Sequence, residues 1–134
     1  MVIEELQLKG SNEMSLGKKQ IYIVDDDESV CLSLKLLMGT YGFVAETFLS
    51  AEKFFSAVSN SALGCLIMDI HMPGLNGWEA QQKLKENGFN LPVILISADK
   101  NSGLKKRALK AGALGFLQKP FNDKELVDLV NLAF

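Results

Sequence analysis

No stretch of this 134-residue chain approaches the ~18 consecutive apolar residues that a membrane-crossing helix needs. The N-terminus, MVIEELQLKG, carries acidic residues and lacks the apolar core of a secretory signal. Net charge is also scarce. Fourteen basic residues against 16 acidic ones give −2, which argues against a nucleic-acid or membrane surface at the level of the whole chain. There are two cysteines, Cys31 and Cys65, far apart and in no C-x-x-C pair, so they read as small core hydrophobes of a reduced compartment. Neither an internal repeat nor a low-complexity tract is present. These absences point to a soluble, cytoplasmic protein.

What remains is an ordinary globular composition, 48% apolar and 22% charged, in a chain long enough for one domain with its own core. Residues 1–18 are mixed and broken by Gly10, Ser11, Asn12 and Gly17, and are expected to form an extension outside the fold. Within it VIEELQL is a short-helix candidate, and Met14 is a candidate natural start. Residues 19–134 then follow a regular alternation. QIYIV, FVAETF, CLIMDI, LPVILIS and ALGFLQ read as strands. Between and after them run five helical patterns. The first presents Val30, Leu34, Leu37 and Tyr41 at helical spacing and stops at Gly42. The second opens on Ser50 as N-cap and presents Phe54, Phe55 and Val58. The third buries Trp78 and Leu84, the fourth Leu104, Ala108 and Ala111 before Gly112, and the fifth Leu126, Leu129 and Val130. Strands apolar on both faces, alternating with helices, imply an α/β fold with a parallel sheet between helical layers.

In such sheets the ligand crevice lies outside the carboxyl ends of the strands. The first strand ends in Asp25, Asp26 and Asp27, the third in Asp69, the fourth in Ser97 and the fifth in Lys119 followed by Pro120. Four of five strand tips therefore bring acids, a hydroxyl and an ammonium to one edge. Carboxylates held close together share protons or bind a cation. An oxygen-seeking ion such as Mg2+ needs few protein carboxylates and recruits phosphate oxygens. A lysine and a serine add donors for a phosphoryl group, and one carboxylate can act as nucleophile to give an aspartyl phosphate.

The segments IYIVDDDESV, CLIMDIHMPGLNGWE, LPVILISA and GALGFLQKPFNDKEL resemble, in order and spacing, the motifs of response-regulator receiver domains of two-component signalling. The resemblance covers about Lys19 to Phe134 and leans toward receivers that precede a helix-turn-helix output domain. It implies a doubly wound, flavodoxin-like domain of five β-α units with strand order 2-1-3-4-5 and helices on both faces. It also implies that Asp69 is the phosphoacceptor, that Asp25 and Asp26 form the acidic pair, and that Asp26 is the direct Mg2+ (or Mn2+) ligand while Asp25 acts through water. The backbone carbonyl of His71 would complete the metal's protein ligands with Asp69. Ser97 and Lys119 would stabilise the phosphoryl group, and the Lys119–Pro120 bond would be cis. Ser97 and Phe116 would be the switch residues. Phe116 departs from a hydroxyl-bearing ring, so its preference must rest on packing. The implied partners are a sensor histidine kinase or phosphotransfer protein, and a second copy on phosphorylation through the fourth helix, fifth strand and fifth helix, with no direct nucleic-acid binding by this domain. Such a domain catalyses only its own phosphorylation and dephosphorylation. No output domain is read after the last helix.

Plainer roles are expected for the neighbouring residues. Asp27 caps the first helix, the His71 side chain sits on the rim, KKRALK (Lys105 to Lys110) is a solvated helix face with docking to an acidic partner as its alternative, and Trp78 packs at the core edge. Two rival functions fit parts of the pattern. IVDDDES can be read as the DxDx(S/T) of a haloacid-dehalogenase-type phosphatase, with Asp25 as nucleophile and Asp27 as general acid, although the later motifs and the cap domain of that family are missing. A phosphorylation-independent interaction module is the other.

Overall fold

The computed structural model describes residues 19–134. The expectations for VIEELQL and Met14 lie outside these residues. The elements alternate in strict order: β1 (Lys19–Val24), α1 (Glu28–Thr40), β2 (Phe43–Phe48), α2 (Ala51–Ala57), β3 (Cys65–Asp69), α3 (Gly77–Glu86), β4 (Val93–Ser97), α4 (Leu104–Lys110), β5 (Gly115–Gln118) and α5 (Asp123–Leu132). The sheet has the order β2-β1-β3-β4-β5, and every pairing is parallel. This is the doubly wound arrangement expected, with all strand C-termini at one edge.

Side chains of successive strand residues point to opposite faces, and each face is covered. Tyr22, Val24, Leu66, Met68 and Leu95 join Phe54 of α2, Leu84 of α3 and Ala108 of α4 in one core layer. Ile21, Ile23, Ile67, Ile94 and Ile96 join Leu34 and Met38 of α1 with Leu126 and Val130 of α5 in the other. Each fully buried Ile contributes on the order of 1.5–3 kcal/mol, which makes β1, β3 and β4 the rigid centre of the domain.

Helix starts are set by short polar caps. Asp27, Ser50, Asn76 and Asn122 each accept a backbone amide at the head of α1, α2, α3 and α5, and the two asparagines form reciprocal capping boxes with Glu79 and Glu125. Gly42 ends α1 at a φ of 87°, the left-handed turn that favours glycine.

Three details differ from the periodicity reading. The buried stripe of α1 is Cys31, Leu34 and Met38, with Val30 and Leu37 half-buried and Tyr41 exposed at the C-cap. That helix is apolar at most positions, so two phases of a 3.6-residue period fit it equally well. In α5, Val127 is buried with Leu126 and Val130, while Leu129 is half-buried. Finally, β2 and β5, at the sheet edges, carry exposed and half-buried positions that β3 and β4 lack.

Candidate functional site

Because β1 and β3 are adjacent and end level, their terminal acids meet. Carboxylate oxygens of Asp25, Asp26 and Asp69 all lie within 4.8 Å of one another. Asp25 is fully buried, Asp69 is 7% exposed, and Asp26 faces solvent. Lys119, beyond β5, reaches back over the sheet edge. Its Nζ donates to Asp25 Oδ2 at 2.8 Å and lies 3.8 Å from Asp69 Oδ2. The other oxygen of Asp25, Oδ1, accepts the Asp27 amide at 2.9 Å. The Lys119–Pro120 peptide is cis.

The charges do not balance. Three carboxylates face one ammonium. Burial, and then the neighbouring Asp25, push the Asp69 carboxyl up to about 6, against the pull of Lys119. Burial alone would lower Lys119, but its hydrogen bond to Asp25 and the charges of Asp25 and Asp69 outweigh that and raise it. A compact set of oxygen donors with surplus negative charge and one solvent-facing member fits a hard divalent cation that retains water.

The acid run divides as expected at its third member. Asp27 Oδ1 accepts both the amide and the hydroxyl of Ser29, at 2.9 and 2.6 Å, and these bonds hold its carboxyl below the usual range. That weighs against the phosphatase reading. The Asp27 carboxylate is turned to the head of α1 as its cap, and Asp25 is buried beneath Lys119.

Ser97 is fully buried at the end of β4, and its Oγ accepts the Asp99 amide at 3.0 Å. Asp99, two residues beyond the Ser97 strand tip and unmarked by the strand-end pattern, meets His71 across the mouth of the site, with Nε2 and Oδ2 3.1 Å apart. His71 itself is exposed, on the rim. The loop that carries it turns through Gly74, at a φ of 74°, and Leu75 N–H donates to Glu52 Oε2 of α2 at 2.9 Å. Nothing in the sequence pattern marks Glu52. The loop closes onto the sheet where Gly77 N–H donates to Ile70 O at 2.8 Å. Phe116, on β5, is half-buried against the α2–α4 core layer. Trp78 is half-buried too, under the Arg107 guanidinium at 4.0 Å from its ring centre. KKRALK is a solvated face except at Ala108, as expected.

The cysteines carry no part of this chemistry. Burial, with the Asp25 charge, pushes the Cys31 thiol up to about 11, and burial pushes Cys65 up to about 12, so both stay protonated and inert.

A family model described as the response regulator receiver domain matches residues 21–131. The chain is 40% identical over 124 residues to the response regulator protein TodT of Pseudomonas putida, covering 92% of this chain and 55% of TodT. It is 34% identical over 116 residues to the transcriptional regulatory protein FixJ of Bradyrhizobium diazoefficiens, covering 87% of this chain and 57% of FixJ. The crystal structure of FixJ-N matches with a TM-score of 0.79 at 32% identity, over 87% of this chain and 93% of that one. The low-resolution structure of response regulator StyR matches with a TM-score of 0.81 at 37% identity, over 87% of this chain and 59% of that one. The chain thus spans about half the length of the curated relatives it matches.

Proposed function

The chain belongs to the receiver-domain family of two-component response regulators, and we propose that Asp69 is its phosphoacceptor. A phosphohistidine on a sensor histidine kinase or phosphotransfer protein presents the phosphoryl group. An Asp69 carboxylate oxygen attacks phosphorus, the O–P bond forms as the N–P bond breaks, and the electron pair stays with the imidazole nitrogen. Asp25, Asp26, Asp69 and the His71 carbonyl would hold Mg2+ or Mn2+, with solvent-facing Asp26 the direct ligand and Asp25, whose oxygens already accept from Lys119 and the Asp27 amide, acting through water. When bound, the ion offsets charge on the transferring phosphoryl oxygens.

Lys119 donates to one phosphoryl oxygen from its place beside Asp69. Ser97 donates to another, since its Oγ accepts the Asp99 amide and its own proton remains available. Moving Ser97 toward the phosphate pulls on the segment that leads from β4 into α4. Phe116, half-buried on β5, turns inward with it. That couples Asp69 to the face formed by α4, β5 and α5, which we assign as the partner-binding or dimerisation face. In a longer cytoplasmic regulator of the kind to which the relatives belong, this face would control a transcriptional output domain.

The observation that carries this reading is the meeting of Asp25, Asp26 and Asp69 within 4.8 Å beside Lys119. Acetyl phosphate with Mg2+ should label the domain at Asp69 and change Trp78 fluorescence. Acyl phosphate persisting in an Asp69→Asn variant would sink the assignment, and absence of any Mg2+-dependent label would leave a phosphorylation-independent module.

A further inference from the structure

We propose that Glu52, on α2 and outside the carboxylate cluster, is a positioning residue for the acceptor loop. The inference rests on the reading of Asp69 as phosphoacceptor and of the His71 carbonyl as a metal ligand. The segment after β3 must leave the sheet, expose His71, and return to start α3. Its two ends are held by the sheet, through Ile70 N–H to Ile96 O at 3.0 Å and Gly77 N–H to Ile70 O at 2.8 Å. Between them Pro73 and Gly74 are exposed. Met72 is buried in the core and Leu75 packs against it; among the described residues, the bond from Leu75 N–H to Glu52 Oε2, at 2.9 Å, is the only hydrogen bond that ties residues 72–75 to another element.

The contact is close and specific. A Cβ built on Gly74 would come within 2.6 Å of Glu52 Oε2, so the turn lies directly against the carboxylate. Glu52 is itself well placed. It stands in the first turn of α2, where Ser50 caps the helix by accepting the Lys53 amide at 3.1 Å. An acid there is favoured by the helix N-terminus. Phe54, 1% exposed, anchors the same helix in the core between Tyr22 and Phe48. The Leu75 amide, and then Glu52's own amide, hold the carboxyl below its usual range, so it is a charged acceptor at working pH.

An exposed charge-assisted bond adds little to global stability. What it does is local: it fixes the far half of the loop whose near half presents His71. The groups that orient metal ligands from behind set affinity more than fold.

Three variants of the full chain separate the possibilities. Glu52→Gln keeps an oxygen acceptor, Glu52→Asp keeps the charge but draws it back by one methylene, and Glu52→Ala removes both. In Glu52→Ala and Glu52→Asp, Leu75 amide exchange should accelerate about tenfold, and the Mg2+ concentration for half the Trp78 fluorescence change should rise roughly five- to tenfold. The labelling rate by acetyl phosphate at saturating Mg2+ and the urea midpoint should change little. Glu52→Gln, which keeps the oxygen in reach but makes a neutral bond, should be impaired least of the three. If Glu52→Ala folds poorly, the Asp and Gln pair decides. Unchanged Mg2+ dependence in Glu52→Asp, or equal impairment in Glu52→Gln, would overturn this inference alone. No Mg2+ response in the unsubstituted chain would overturn it together with the phosphoacceptor reading.

Discussion

Lys119 Nζ lies 2.8 Å from Asp25 Oδ2, across 94 positions of sequence, and 3.8 Å from Asp69 Oδ2. The ammonium is therefore committed first to Asp25 and only then to Asp69. Each Asp25 oxygen already accepts one hydrogen bond, Oδ1 from the Asp27 amide and Oδ2 from Lys119, whereas Asp26 is open to solvent and Asp69 is buried with its charge poorly compensated. Three acids in one cluster thus hold three different positions: one ion-paired, one hydrated and one poised.

Replacing Lys119 with Met should expose this commitment. It leaves Asp25, whose side chain is 1% exposed, without its cation. Breaking a buried pair costs about 3–5 kcal/mol, and the partial exposure of Lys119 reduces that to roughly 2–3 kcal/mol. Urea unfolding at neutral pH should show the loss without divalent cation and partial recovery when Mg2+ is added. Equal midpoints for both proteins without Mg2+ would show that Asp25 needs no ammonium.

Asp69 gives a pH signature of its own. Its carboxyl is raised to about 6 by burial and then by Asp25, while in the unfolded chain it returns to about 3.9. Between those values the folded state binds the extra proton, so stability from this group is full below about pH 4 and is lost as pH rises through 6. By pH 7 the cost is on the order of 2–3 kcal/mol. Metal-free Asp69→Asn should therefore be more stable than the parent at pH 7, and the gap should close toward pH 4. A gap that is constant across that range would rule out ionisation as its origin.

The centre of this fold was open to sequence reading because burial on both faces leaves no polar positions. All residues of β3 and β4 are buried, and both were visible as apolar runs ending in a reactive group. The parallel topology then delivers those groups to one edge whatever the loops do. Less regular contacts were hidden. Glu52 meets a backbone amide 23 residues away, and an amide has no sequence signature. Arg107 stacks on Trp78 through a helix–helix approach that periodicity does not encode. In α1, Leu32 and Leu36 are exposed while Cys31 and Met38 are buried, a phase that only the tertiary packing selects.

Asp27 and Asp26 are adjacent and both exposed, yet their removal should act on different observables. Asp27→Ala deletes the cap of α1 and should lower the thermal midpoint by a few degrees, with Mg2+ dependence unchanged. Asp26→Asn should leave the midpoint equal or higher, because it relieves repulsion with Asp25 and Asp69, and should weaken Mg2+ binding at least tenfold. Calorimetry and Trp78 titration read the two effects separately. Loss of Mg2+ affinity in Asp27→Ala would place that residue in the cation site instead.

Gly77→Ala tests how α3 is set against the tip of β3. Gly77 is the first residue of α3, and intrinsic propensity alone would make alanine there more favourable by up to about 1 kcal/mol. The packing says the opposite. A Cβ at Gly77 would lie 2.7 Å from Ile70 Cα and 2.8 Å from the Asp69 carbonyl oxygen, both backbone atoms that cannot swing aside. Relief requires α3 to shift away from the tip of β3, which strains the Gly77–Ile70 hydrogen bond and disturbs Asp69 directly. Overpacking of this kind costs about 1–3 kcal/mol. Gly77→Ala should therefore lower the urea midpoint, shift the emission of neighbouring Trp78, and slow labelling by acetyl phosphate even at saturating Mg2+. A variant more stable than the parent, with labelling intact, would mean that α3 does not approach β3 as closely as this geometry requires.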